Sequence, residues 1–305
     1  MEFEKIFTDE FKKVNGENII NELNINGFFS FEKALSTDFI NKIEKDAIQS
    51  KLNLNINKVS GAYLEKQYFF NHLLTNSKTF YNFVTSDLII NICQKFLGEK
   101  FRLKALRYYE TYGTHHMQWH TDNKTDKNFA KIPGLIFIFY VSNVDDGEFQ
   151  YIKGSHNWSL ESGHSDYSDE YVEKNYKDKI KSFKLPKGSL IIYNTYGIHR
   201  AKPSINRNFI RKSVFFQIDG KIKNSEPIIV NTEFIDKTDN KILMLLGFGK
   251  PSNYNLYPST SLKTLPVNNK IIFNFINYFL YRLLRKAYNL LPKVLKEKVK
   301  KIIKK

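Results

Sequence analysis

Residues 115–124 read HHMQWHTDNK, three of the chain's seven histidines within six positions, with Asp122 two residues beyond the last. On an extended strand, side chains two apart point to the same face, so His120 and Asp122 could offer an imidazole and a carboxylate together. A second imidazole from a strand returning alongside would complete a facial triad of the non-haem Fe(II) type, which leaves the other metal positions open for a cosubstrate and O₂. His199, at the end of LIIYNTYGIH about eighty residues later, is placed for that role. A second triplet of the same spacing, His164-Ser165-Asp166, lies only 35 residues before His199 in an acidic, Tyr-rich stretch and is read as a decoy. Further on, NFIRKSVFFQI sets Arg211 and Ser213 on one strand face. A guanidinium fork beside a hydroxyl suits a carboxylate ligand, and Arg207 is the alternative cation. The competing reading is of unrelated polar residues at strand ends in a basic protein. The combination is far more specific than any single part. His115 and His116 stay unassigned, while Trp119 and Trp158 read as packing residues, Trp119 pointing away from the metal face.

The elements that would carry these groups fall into two textures. Up to about residue 98 the chain is helix-rich. One helix begins near Ser36 or Thr37, with Phe39, Ile40, Ile43 and Ala47 at helical spacing, and SDLIINICQKFLG is a second, opened by Ser86 or Asp87 and closed by Gly98. From 99 to 220 short apolar or alternating runs follow one another: FRLKALRYY, GLIFIFYV, EFQYI, GSLIIYNT and KSVFFQI, each bounded by Gly, Pro, Asn or Asp. Helices do not alternate with them, so the pattern is that of a sandwich or barrel and not of βαβ units. The stretch SDYSDEYVEKNYKDK reads as a surface loop, and Gly154-Ser155-His156 as a structural turn. An irregular extension covers 221–268 and a basic amphipathic helical tail covers 269–305.

Composition narrows the function classes. A single cysteine, Cys93, excludes an internal disulfide and a thiolate metal cage. The opening MEFEKIFTDEFKKV has no apolar run behind a basic cluster, so a cytosolic protein is expected. Of the net charge of +16, the segment 270–305 supplies +10, from eleven Lys or Arg and one Glu. The excess is mostly a tail property, and no groove-reading or base-stacking motif accompanies it, so nucleic acid is not an expected partner. In the tail Ile272, Phe275, Ile276, Phe279, Leu283, Ala287, Leu290 and Val294 step by three or four, opposite Asn, Arg and Lys. That stripe suits packing on the domain or peripheral contact with an anionic membrane, which would place the protein at a membrane's inner face.

Taken together, INGFFSFEKALSTDFINKIE, SDLIINICQKFLG, QWHTDN, DDGEFQYIKGSH and KGSLIIYNTYGIHRAKPSINRNFIRKSVFF resemble the phytanoyl-CoA dioxygenase family of Fe(II)/2-oxoglutarate oxygenases, from about Asn26 to Gln217. The resemblance implies a double-stranded β-helix (a cupin-like jelly roll) behind N-terminal helices. It also implies Fe(II) on His120, Asp122 and His199, 2-oxoglutarate on Arg211 with Ser213, and O₂ as oxidant. Arg211 stands twelve positions after His199, one more than the family pattern leads one to expect. The expected reaction is hydroxylation of an unactivated C–H bond in a small-molecule, lipid or envelope-sugar substrate, anionic ones suiting the basic chain. Asp122 argues against a halogenase, which lacks that carboxylate. A catalytically silent β-helix that binds ligands at a membrane is the alternative.

Overall fold

The computed structural model describes residues 5–53, 61–64, 67–70, 73–113, 117–122, 133–158, 167–206, 208–220, 225, 228–235, 239–250, 269–292 and 295–296. It divides into two compact units, Met1–Thr260 and Ser261–Lys305.

The first unit begins with α1 (Asp9–Lys12), α2 (Gly16–Ile25), β1 (Phe28–Phe31) and α3 (Thr37–Asn53). The Ser36 hydroxyl accepts from the Phe39 amide and so caps α3 where the sequence places its start. Strands β2 (Gly61–Leu64) and β3 (Gln67–Phe70) follow, then α4 (Leu73–Asn76), α5 (Lys78–Val84) and α6 (Asp87–Leu97). Ser86 occupies the N-cap of α6, and Gly98 closes it with φ of 82°, a backbone that disfavours any residue bearing a Cβ. The segment before residue 98 is therefore not purely helical: three short strands lie in it, and they add to the edges of a sheet built mostly later in the chain.

That sheet also contains β4 (Arg102–Tyr112), β5 (Gly134–Tyr140), β8 (Leu190–Asn194) and β10 (Ile210–Asp219), in the antiparallel order β1-β8-β5-β10-β4-β3-β2. A second, three-stranded sheet runs β7-β6-β9, from Ile180–Phe183, Phe149–Ile152 and His199–Ala201. The larger sheet buries apolar side chains on both faces. Leu106, Tyr108, Phe137, Phe139, Val214 and Phe216 pack with Phe83, Ile89 and Cys93 of the helices in one core. On its other face Ile136, Tyr140, Ile191 and Tyr193 meet Phe149, Tyr151 and Phe183 of the smaller sheet. Period-two alternation sends Phe216 to one face and Ser213 and Phe215 to the other, so burial on both sides fixes the register. The result is a jelly-roll core with a helical layer outside and a cleft between the sheets.

Two local readings are corrected. The stretch after residue 166 is not a loop: α7 (Asp169–Tyr176) is a helix whose first turn is capped by the Ser168 hydroxyl, with a 3₁₀ turn at Lys177–Lys179 leading into β7. Its Tyr and Asp residues looked loop-like because only Val172 among α7 residues is buried. The described residues of 221–268 also contain a 3₁₀ turn (Thr232–Phe234) and α8 (Asn240–Leu245), whose Leu245 joins the main core.

The second unit contains α9 (Asn269–Leu290), with Arg282 set over the Tyr278 ring. No helix among the described residues is long and apolar enough to cross a membrane.

Candidate active site

His120 and His199 are joined by a reciprocal pair of backbone hydrogen bonds, each amide donating to the other's carbonyl at 2.9 Å. His120 is therefore held against β9 by an isolated bridge, not within a strand of its own as the alternation suggested. The same bridge brings the two imidazoles to 4.4 Å between centroids. Each ring is fixed in the same way. His120 Nδ1 donates to the Gln118 carbonyl at 2.7 Å, and His199 Nδ1 to the Gly197 carbonyl at 2.9 Å. A carbonyl can only accept, so each Nδ1 carries a proton, and in the neutral ring Nε2 then keeps the lone pair that a metal requires.

Asp122 is placed by its amide, which donates to the Thr195 carbonyl at 3.1 Å. Its Oδ2 lies 3.1 Å from His199 Nε2 and accepts a hydrogen bond from the Tyr193 hydroxyl at 3.1 Å. Ligand atoms of His120, Asp122 and His199 all fall within 4.8 Å of one another. Burial works against the Asp122 charge, but His199, then His120 and Lys104, outweigh it and hold the carboxyl well below the usual carboxylate range. Two imidazole nitrogens and one ionised carboxylate, close together and pre-oriented, fit a divalent first-row metal. Trp119, the residue before His120, is fully buried outside the cavity, clustered with Ile152, Val172 and Ile198, and carries the Arg200 guanidinium over its ring at 4.4 Å.

The triad opens into a cavity of about 170 Å³. Its floor is the inner face of the large sheet: Arg211, Ser213 and Phe215 of β10, Arg107 and Tyr109 of β4, Ile138 and Tyr140 of β5, and Tyr193 of β8. These side chains are neighbours because Ser213 pairs with both Tyr109 and Tyr140, and Phe215 with both Arg107 and Ile138. Phe149, His199, Arg200 and Ala201 approach from the smaller sheet. Arg211 is buried and donates through Nη1 to the Gly147 carbonyl. Burial lowers its pKa, and it forms no ion pair among the described residues. The turn that receives it is fastened by Asp146, whose Oδ2 accepts from the Ser204 hydroxyl and from the amides of Ile205 and Asn206 at 2.7–2.9 Å.

Every triad residue expected from the sequence, with Arg211 and Ser213, lines this one cavity. Arg207, His115, His116, His164 and Asp166 lie outside the described residues. Tyr193, Arg107 and Asp146 were not singled out from the sequence. Asp146 sits in DDGEF, a turn the family resemblance included, whereas Arg107 and Tyr193 enter the cavity only through strand pairing. Burial and then the Asp122 charge push the Tyr193 phenol well above its ordinary value.

Among solved structures, HygX from Streptomyces hygroscopicus, with nickel, 2-oxoglutarate and hygromycin B bound, is 13% identical and superposes with a TM-score of 0.51 over 66% of this chain and 86% of its own. The epimerase SnoN, in complex with Fe³⁺, alpha ketoglutarate and nogalamycin RO, is 13% identical with a TM-score of 0.53 over 67% and 82%. The carbocyclase SnoK from nogalamycin biosynthesis is 12% identical with a TM-score of 0.53 over 68% and 85%. At these identities the likeness concerns the fold. Among curated protein sequences none matches the chain. The family model for phytanoyl-CoA dioxygenase matches residues 24–213, more than half the chain and all of the cavity-forming strands from β4 to β9. The chain thus belongs to the phytanoyl-CoA dioxygenase family and is an oxygenase dependent on iron and 2-oxoglutarate.

Proposed function

We propose that this cavity hydroxylates an unactivated C–H bond, with His120, Asp122 and His199 holding Fe(II) and Arg211, assisted by Ser213, holding the distal carboxylate of 2-oxoglutarate. The observation that carries the reading is the convergence of two Nε2 lone pairs and one carboxylate within 4.8 Å. Once bound, iron and 2-oxoglutarate supply the oxidising power: O₂ is reduced, the cosubstrate becomes succinate and CO₂, and one oxygen atom enters the substrate. The chain's own part is to bind, orient and exclude water. Arg211 is buried with no carboxylate in ion-pair contact among the described residues, Glu148 acting on it only from farther off, and a buried guanidinium is costly until a carboxylate meets it, so it suits the distal carboxylate of the cosubstrate. Phe149, Ile138, Phe215 and Tyr193 give the cleft apolar walls.

The substrate reading is a small organic molecule carrying negative charge. Arg107 also lines the cavity, as does Arg200, whose charge is already met by Asp169, and the only acid among the described lining residues is Asp122. At about 170 Å³ the cavity is smaller than the roughly 300–1,000 Å³ of a site for a drug-sized ligand, so a substrate must use space beyond it. The hygromycin B and nogalamycin RO in the HygX and SnoN structures support a small organic molecule as the substrate class, while the negative charge is argued from the cavity's guanidinium groups alone.

Anaerobic addition of Fe(II) and 2-oxoglutarate tests the assignment through the visible charge-transfer band of the chelate. The band is expected in the wild type and weakened in Asp122→Ala and Arg211→Ala. Its absence at saturating cosubstrate would move a silent ligand-binding role to the front.

A second reading, favoured by the apolar stripe of α9 and the +10 charge of 270–305, is peripheral attachment to an anionic membrane.

A further inference from the structure

Tyr193 is the buried polar group closest to the triad that the reaction as written does not use. It stands on β8, with its ring centroid 4.8 Å from those of Phe149 and His199 and 5.9 Å from that of Tyr151. Packing on these sides leaves its hydroxyl one direction in which to point. The oxygen lies 3.1 Å from Asp122 Oδ2 and 3.4 Å from His199 Nε2, and those two atoms are themselves 3.1 Å apart. The three atoms form a near-equilateral triangle at the spacing of neighbouring donors around a cation with bonds of about 2.1 Å.

Two roles fit a phenol at such a point: a ligand in its own right, or a donor that ties down one carboxylate oxygen. The second matches the chemistry of the group. The terminal torsion of an aspartate is broad, so an untethered carboxylate can swing between one-oxygen and two-oxygen coordination. A hydroxyl on a locked ring that donates to Oδ2, the oxygen that faces His199 Nε2, removes that freedom and holds the carboxylate at one angle to the imidazoles. The backbone bond from Asp122 to Thr195 fixes the chain but not the carboxylate plane.

We propose that Tyr193 is a positioning residue that sets the orientation of the Asp122 carboxylate through its hydroxyl, and so keeps the metal's remaining positions free. This rests on the metal reading of His120, Asp122 and His199. Partners one step beyond a metal's ligands typically change its affinity by about tenfold to a hundredfold when removed.

The test is a Co(II) titration, followed by visible absorption, of the full chain and its Tyr193→Phe variant, alongside thermal unfolding of both metal-free proteins. Failure of the wild type to bind Co(II) would sink the metal reading itself, and Tyr193 with it. If the wild type binds, the variant is expected to bind about tenfold or more weakly, with an altered Co(II) spectrum and an unchanged metal-free unfolding temperature. Equal affinity and spectrum in the two proteins would overturn the proposal. So would a metal-free variant that is destabilised as much as its metal binding is weakened, because the hydroxyl would then serve the fold. Ferric loading supplies the last arm: a phenolate-to-iron colour present in wild type and absent in Tyr193→Phe would make Tyr193 a ligand and overturn the positioning role.

Discussion

At the scale of single residues the site depends on a few contacts that tolerate little change. Gly197 is one. A Cβ there would lie 1.6 Å from the Tyr151 hydroxyl oxygen and 1.9 Å from the ring carbon bearing it. The same residue's carbonyl orients His199. Gly197→Ala is therefore expected to cost about 1–3 kcal/mol by overpacking, and to weaken metal binding as His199 turns. Chemical denaturation and metal titration would each register the change; an unperturbed variant would mean that Tyr151 moves aside freely. Arg211 offers a sharper separation. Lysine keeps the charge but not the planar fork, and charge-assisted hydrogen bonds are worth about 1.5–3 kcal/mol. Arg211→Lys should raise the Michaelis constant for 2-oxoglutarate about tenfold to a hundredfold, with Fe(II) affinity unchanged. A loss of iron binding with it would show that Arg211 supports the triad and not the cosubstrate.

At the scale of elements, β10 serves both of its faces. Arg211 and Ser213 point into the cavity, while Lys212 between them reaches Glu44 of α3 at 2.6 Å, and Lys187 meets the same carboxylate at 3.3 Å. Burial works against the Glu44 charge, yet the bonds from Lys212 and then Lys187 lower its pKa below the ordinary 4.5. A carboxyl whose folded pKa is depressed stabilises fully above the unfolded value and loses that contribution as pH falls through the folded one. Glu44→Gln should thus unfold at lower denaturant than wild type near neutrality, by about 1 kcal/mol for a partly exposed pair, and the two curves should converge in acid. A constant difference down to pH 2 would show that packing, not charge, is what Glu44 supplies. The first hundred residues also show how element type escapes a sequence reading. Four-residue strands such as FFSF and QYFF are too short to display a period, and their pairing partners lie far along the chain in β8 and β4.

For the whole molecule, the charge asymmetry sets the prediction. Unit Ser261–Lys305 holds most of the net positive charge, and each Lys or Arg near an anionic bilayer contributes about 1 kcal/mol. Co-sedimentation with phosphatidylserine vesicles should recover the full chain and leave a chain ending at Thr260 in the supernatant, with recovery falling as salt rises. Equal pelleting of the two would remove the membrane reading.

The amino-acid sequence determined the class of fold and offered the candidate donor set. His120, Asp122 and His199 are legible because residue type and separation along the chain are local properties, although a lone bridge to β9 and not a strand of its own holds His120, and the alternating runs between 101 and 219 carry the signature of antiparallel sheets within themselves. Only the tertiary structure decided which groups share the cavity with them. Arg107 and Tyr193 face it because β4 and β8 pair into one sheet with β10 and β5, and the helical character of α7 rests on one capping hydroxyl and one buried valine. Such contacts join residues tens of positions apart, and they arise from register and burial, which no window of sequence contains.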